Sequence, residues 1–283
     1  MQTRHTDAIP LAPQPNLEQY KKLAKDLVKA AAGEVDSVRE WVAAWIERLA
    51  RLSVAAEVTR DLDGIIQDLE QSRLLASDRV PAKATLSEAQ LVIARLHGFE
   101  SWPKFVKHIE KYQEPSSPVS QFETAADAIV TGDVSTLKTL LRNNPQLVRA
   151  RSTRDHHATL LHYVGANGHE GFRQRTPGNA VEIARVLLEA GAEPDARANM
   201  YGHGCTTMEM LVSSEHPHAA GVQSALVELL LDFGAAVDGV KGDGSPLMTA
   251  FRFHYPKAAE TLARRGAKVD NVISAAALGR VRE

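Results

Sequence analysis

From residue 17 the chain places apolar side chains at the i, i+3, i+4, i+7 spacing of an amphipathic helix: Leu17, Tyr20, Leu23, Ala24, Leu27, Val28 and Ala31, with Gly33 just beyond. This predicts a helix over 17–32. Val38, Trp41, Val42, Trp45, Ile46 and Leu49 predict a second over 35–52. Val58, Leu62, Ile65, Ile66 and Leu69 predict a third over 54–75, weakened in its middle by Gly64. Residues 78–84, with Pro81, read as a loop. A fourth helix is expected over about 88–97, capped by Thr85 or Ser87 and closed by Gly98. A fifth is expected over 101–112, with Pro103 in its first turn. Trp41, Trp45 and Trp102 lie on apolar faces and read as core, with a docking groove as the alternative. Residues 1–16 contain three prolines and no apolar run, and are expected to be disordered. Residues 17–112 then form a helical domain, and 113–120, with Pro115, Ser116, Ser117 and Pro118, a polar linker.

Beyond residue 120 the pattern changes. Leu187-Leu188-Glu189-Ala190-Gly191-Ala192-Glu193-Pro194-Asp195 returns as Leu230-Leu231-Asp232-Phe233-Gly234-Ala235-Ala236-Val237-Asp238 and as Leu262-Ala263-Arg264-Arg265-Gly266-Ala267-Lys268-Val269-Asp270. Each copy follows a second phrase: Thr159-Leu160-Leu161-His162, Thr206-Thr207-Met208-Glu209 and Ser245-Pro246-Leu247-Met248. These phrases resemble the ankyrin repeat, whose Thr-Pro-Leu-His caps and starts a first helix and whose paired leucines and glycine pack and end a second. Residues 121–283 are therefore expected to form an ankyrin-repeat solenoid of about four repeats plus a partial one, giving an all-α protein. Residues 122–151 read as a degenerate leading repeat. Wide spacing between Gly191 and Gly234 implies insertions, placed at 169–177 and 216–221. Residues 272–283 resemble the first helix of a further repeat. Terminal repeats need a polar outer face, so the chain is expected to be a fragment of a longer protein, or else to have its last repeat covered by a partner.

A closer resemblance is carried by Leu160-Leu161-His162-Tyr163-Val164 with Gly171-Phe172-Arg173-Gln174-Arg175-Thr176-Pro177, and by Ala89-Gln90-Leu91-Val92-Ile93-Ala94 with Gly98-Phe99-Glu100-Ser101-Trp102-Pro103. Both stretches are similar to a group of bacterial ankyrin-repeat proteins in which a small helical domain precedes the repeats. The resemblance covers most of the chain except 34–84. It implies a fold and assigns no activity. Leu160 and Thr207 depart from the usual Pro of the motif, which only Pro246 keeps.

Composition narrows the function by exclusion. Lys and Arg total 33 against 35 Asp and Glu, so no whole-chain field favours nucleic acid or an anionic membrane. No stretch approaches membrane-span length. A single cysteine, Cys205, excludes an intrachain disulfide and fits the cytoplasm. No nucleophile elbow, phosphate loop or dinucleotide fingerprint is present, so no catalytic residue and no cofactor is expected.

What remains is a protein partner of unstated identity, bound on the concave face of the stack. By position that face comprises Asp155, His156, Asn167, Tyr201, His203, Ser213, Lys241, Asp243, Arg252 and Phe253, with Tyr, Arg and Phe as anchors. His162 is expected to hydrogen-bond neighbouring backbone. Six arginines between 142 and 175 stand against Asp155 and Glu170 alone, and Arg173 and Arg175 are candidates for anion binding. The rival reading is a small-molecule or metal-dependent site in which His169, Arg173, Arg175, His203, His216 and His218 converge. Spacing argues against metal, because the paired motifs of structural zinc are missing.

Overall fold

A computed structural model describes residues 8–12, 14–32, 35–52 and 85–269. The chain is mostly helical with one small β-hairpin. It divides into two compact units, residues 1–120 with 153–155, and residues 121–152 with 156–283. The expected third helix (54–75), the loop at 78–84 and the partial repeat at 272–283 lie outside the described residues.

In the first unit, α1 (Leu17–Ala31) packs on α2 (Val35–Leu52), α3 (Leu86–Leu96) and α4 (Trp102–Tyr112), and α3 packs on α4. The caps are those the sequence carries. Thr85 and Glu88 form a reciprocal capping box on α3, and the Ser101 hydroxyl accepts the Lys104 N–H at the start of α4. Tyr20, Leu27, Val42, Trp45, Ile93, Phe105 and Ile109 fill the core, while Trp41 and Trp102 pack against its edge.

At its centre lies His97, fully buried, stacked on Phe105 and edge-on to Tyr20 and Trp45. Its Nδ1 lies 2.8 Å from the Ile9 carbonyl, and burial pushes its pKa down to about 3. The Ile9 N–H in turn donates to Leu96 O at 2.7 Å. The expectation of disorder through residue 16 is corrected here: from Ala8 the segment is packed, with Ala8 and Ile9 both buried. Ile9 is apolar enough to enter the core despite the prolines around it. Residues 153–155 also join this unit. Arg154 lies across the Phe99 ring, and the Asp155 N–H donates to Gly98 O. Gly98 sits at φ +83°, and a Cβ there would stand 3.3 Å from the Arg154 side chain.

The second unit takes up α5 (Pro118–Thr131) from residue 121 onward, so a helix begins inside the stretch expected to be linker. It continues with α6 (Val134–Asn143), α7 (Ala180–Glu189), the hairpin β1 (Ala198–Met200) and β2 (His203–Cys205), α8 (Thr207–Leu211), α9 (Glu215–Ala219), α10 (Gln223–Asp232), α11 (Ser245–Arg252) and α12 (Pro256–Arg264). Helix α10 packs on α7, α8 and α12, and α11 packs on α8 and α12. Leu160, Leu161, Ile183, Leu187, Leu211, Leu226, Leu230, Leu247 and Leu262 form one continuous core.

Three helices close in the same way. Gly191, Gly234 and Gly266 stand at φ 94°, 90° and 98° after α7, α10 and α12. The following alanine N–H donates five residues back in each case: Ala192 to Leu187, Ala235 to Leu230 and Ala267 to Leu262. Each glycine N–H donates three residues back, completing the Schellman closure that a left-handed glycine permits. The aspartate four residues past the first two glycines has a matching job. Asp195 accepts the Ala236 N–H at 3.0 Å, and Asp238 accepts the Lys268 N–H at 2.8 Å.

Two expectations change. The segment after Thr159 is a 3-10 helix, Leu160–Gly165, which ends at Ala166 with φ 48°. Gly165 lies close to α8, where a Cβ would meet Met210 at 2.9 Å. The insertion placed at 216–221 is mostly the short helix α9, with Pro217 buried, and the one at 169–177 contains a single 3-10 turn, Gly171–Arg173. Among the described residues no helix is long and apolar enough to cross a membrane.

Candidate functional site

Among the described residues the hairpin presents the most exposed large apolar side chain, Tyr201. Its register pairs Met200 with His203, leaving Tyr201 and Gly202 as a two-residue turn. Both turn residues have positive φ, 52° and 81°, the backbone for which Asn-Gly is the favoured pair. Tyrosine at the first position costs about 1–2 kcal/mol of backbone strain relative to a residue that tolerates the left-handed region. The ring is 55% exposed, so burial does not repay that strain. A hydrogen-bond relay does so in part. The Tyr201 hydroxyl donates to Asn167 Oδ1 at 2.5 Å, the Asn167 amide donates to Ser213 Oγ at 2.8 Å, and the Ser213 hydroxyl donates to Glu209 O at 2.9 Å. Three residues expected on the binding face are thus brought together.

The hairpin is anchored below its tip. The Asn199 N–H donates to His156 O at 2.7 Å, and Arg151 Nη1 donates to both His157 O and Arg197 O. Arg197 folds back on its own hairpin, with Nε and Nη2 on Gly204 O. A Cβ on Gly204 would meet that guanidinium at 2.8 Å, so the glycine lets it lie against the strand. Arg197 and Asn199 alternate with buried Ala198 and Met200 and share the exposed face. His203 Nδ1 lies 3.1 Å from Tyr201 O.

The remaining members of the expected face separate. Lys241, Asp243, Arg252 and Phe253 are exposed; Asp243 accepts the Ser245 N–H just ahead of α11, and hydrogen bonds from the Ser245 side chain and N–H lower its carboxyl pKa. Val240, 51% exposed beside Lys241, belongs to the same loop and was not anticipated; an apolar residue between Gly239 and Gly242 is its only sequence signal. His156 is a correction: it is buried, its Nδ1 accepting the Ala158 N–H and its Nε2 3.5 Å from Glu170. A ring that closes its own turn and faces a buried carboxylate is not available to a partner. Asp155 belongs to the first unit, as described above. His162 behaves as expected, with Nδ1 accepting the Thr159 N–H and Nε2 directed at Cys205 O.

The anion-binding assignment of Arg173 is also corrected. Its guanidinium is buried, with Nη1 2.7 Å from Glu123 and 3.5 Å from Glu170 and Nε 2.8 Å from Asp127. Burial opposes its charge, but the carboxylates of Glu123, Asp127 and Glu170 more than offset this and hold its pKa well above the ordinary value. Tyr163 and Phe172 flank it. His169 is fully buried beside it, its ring 4.5 Å from that of Tyr163, and desolvation pushes its pKa down to about 3. Arg175 is exposed.

The six residues of the rival site do not share a pocket. His169 and Arg173 lie in this buried cluster, His203 on the hairpin, and His218 against Tyr255 at 4.5 Å. Among the described residues no three His, Cys, Asp or Glu side chains are grouped as metal ligands would be. Cys205 is buried, and desolvation raises its thiol to about 12, which removes it as a nucleophile. In the first unit Tyr20, Leu23, Trp41, Trp45 and Arg48 line a cavity of about 260 Å³.

Set against known proteins, the chain matches no protein-family profile and no curated relative.

Proposed function

We propose that residues 121 to the C-terminus are ankyrin-type repeats and that they act as a protein-binding scaffold, with the loop tips and first helices as the contact face. The recurrent geometry of the second unit supports the repeat reading. Aspartates at equivalent positions of the recurring phrase, Asp195 and Asp238, each bond the backbone of the next phrase at its equivalent residue, Ala236 and Lys268. A chain that stacks like units would reuse one inter-unit bond in this way. The single observation carrying the binding reading is Tyr201. A bulky residue is held in a left-handed turn, half exposed, and braced by Asn167 and Ser213, a strain that serves display and not packing. Exposed Val240 and Phe253 supply further apolar anchors. A single buried free thiol fits a reducing compartment.

The test is capture from a bacterial lysate by the tagged protein at moderate salt, with mass spectrometry of what is retained, compared with the Tyr201→Asn/Phe253→Ser variant. A specific protein retained by the wild type and lost by the folded variant is the expected result. Equal capture by both removes the contact face from the proposal.

A further inference from the structure

The residues around the hairpin are locally cationic. Residues 196–208 contain Arg197 and His203 and no carboxylate, and Arg151 and His157 come up beside them. The acids that border this stretch are both engaged, Asp195 with the Ala236 N–H and Glu209 with Thr206 and Ser245. Among the described residues neither Arg151 nor Arg197 has a carboxylate within ion-pair distance. Both guanidiniums are nonetheless held in place, Arg151 by two carbonyls through Nη1 and Arg197 by Gly204 O through Nε and Nη2. Both side chains are exposed. Two cations fixed by neutral acceptors in this way keep their full charge and lose little side-chain entropy when an anion arrives. Tyr201 stands four residues along the same hairpin from Arg197, on the order of 13 Å at the rise of a strand.

We propose that Arg151 and Arg197 form a carboxylate anchor for an acidic segment of a partner protein, with an apolar side chain of that segment packed on the Tyr201 ring. The proposal rests on the scaffold reading and names the chemistry of its partner. The charge complementarity is local: the protein as a whole is slightly acidic, with a net charge of -2, so attraction of an acidic segment comes from this patch and not from the overall charge. Nucleic acid is the poorer fit, because it would use a row of stacking aromatics and a basic stripe, and the hairpin offers one ring.

Selection of a phage-displayed library of random 16-residue peptides against the full chain tests this, with synthetic versions of the enriched peptides measured by fluorescence anisotropy. Enriched sequences are expected to pair Asp or Glu with a neighbouring aromatic or aliphatic residue and to bind at least tenfold more weakly to Arg151→Gln/Arg197→Gln. Glutamine removes the charge and keeps an amide N–H donor on a shorter side chain, and thermal unfolding checks that the variant is folded. No enrichment, enrichment of neutral or basic peptides, or unchanged binding by the glutamine variant overturns the proposal. So does tighter binding of a 16-nucleotide single-stranded DNA than of any enriched peptide. If a lysate protein is lost with Tyr201→Asn/Phe253→Ser but retained by the glutamine variant, the scaffold reading stands and the carboxylate anchor falls.

Discussion

Arg173 and Arg197 belong to the same unit, and both are surrounded by residues whose sequence suggests a cationic loop, yet they occupy opposite electrostatic situations. Arg173 is taken out of water and matched by Glu123, Asp127 and Glu170. Arg197 stays in water and is matched only by a backbone carbonyl. A buried guanidinium must be neutralised locally, because the cost of leaving it unpaired in a low dielectric exceeds the energy of most folding contacts. An exposed one carries no such demand, and its charge remains available for another molecule. The contrast separates an arginine that maintains structure from one that can recognise a ligand.

Removing Arg173 should have the largest effect. Arg173→Ala leaves Glu123 and Glu170 buried without their cation, and a loss of about 3–5 kcal/mol is expected in urea unfolding. A loss below about 1 kcal/mol, the range of a surface ion pair, would erase the contrast with Arg197.

Acid should separate the two regions next. The folded pKa of His169 is lowered to about 3 from an ordinary value near 6.5, so between these values the unfolded chain binds the proton and the folded chain does not. Stability is therefore complete above pH 6.5 and falls as the pH drops toward 3. His169→Gln should reduce that slope by roughly 1.4 kcal/mol per pH unit, read from unfolding midpoints between about pH 5.5 and 4. Parallel wild-type and variant curves would show that His169 is not buried as a neutral ring. His97 and His162, lowered to about 3 and about 4, add acid sensitivity of the same sign.

Tyr201 tests the display side. Tyr201→Asn places the favoured residue in the turn while removing the donor to Asn167, so stability should be unchanged or raised by up to about 1 kcal/mol. A drop of more than 1 kcal/mol would mean that the ring is structural and not kept for contact. Arg197→Ala should be the quietest of the set, within about 0.5 kcal/mol of wild type by thermal unfolding, as befits an exposed side chain.

Local signals were legible where a residue's role depends on its own backbone. The extents of α1, α3 and α4 follow from apolar spacing and the start of α3 from Thr85, because a cap acts within one turn. The three glycine closures follow from a repeated phrase, because only glycine enters the left-handed region without strain. The site was legible only in part. Asn167, Tyr201 and Ser213 were found from their expected place in a repeat, and the relay that joins them was not, since residues so far apart in sequence meet only through folding.

The sequence by itself determined a mostly helical chain, the places where several helices begin and end, and the recurrence of one phrase, all properties of neighbours along the chain. Only the tertiary structure decided which charges and imidazoles are buried. Arg173 and His156 look as accessible in sequence as Arg197 and His203, but burial depends on the elements that close over a side chain. Glu123 and Asp127 of α5 enclose Arg173 across some fifty residues of chain, whereas Arg197 lies exposed against Gly204 and its carbonyl. That difference in surroundings, and not residue type, sets whether a charge serves the fold or remains available for binding.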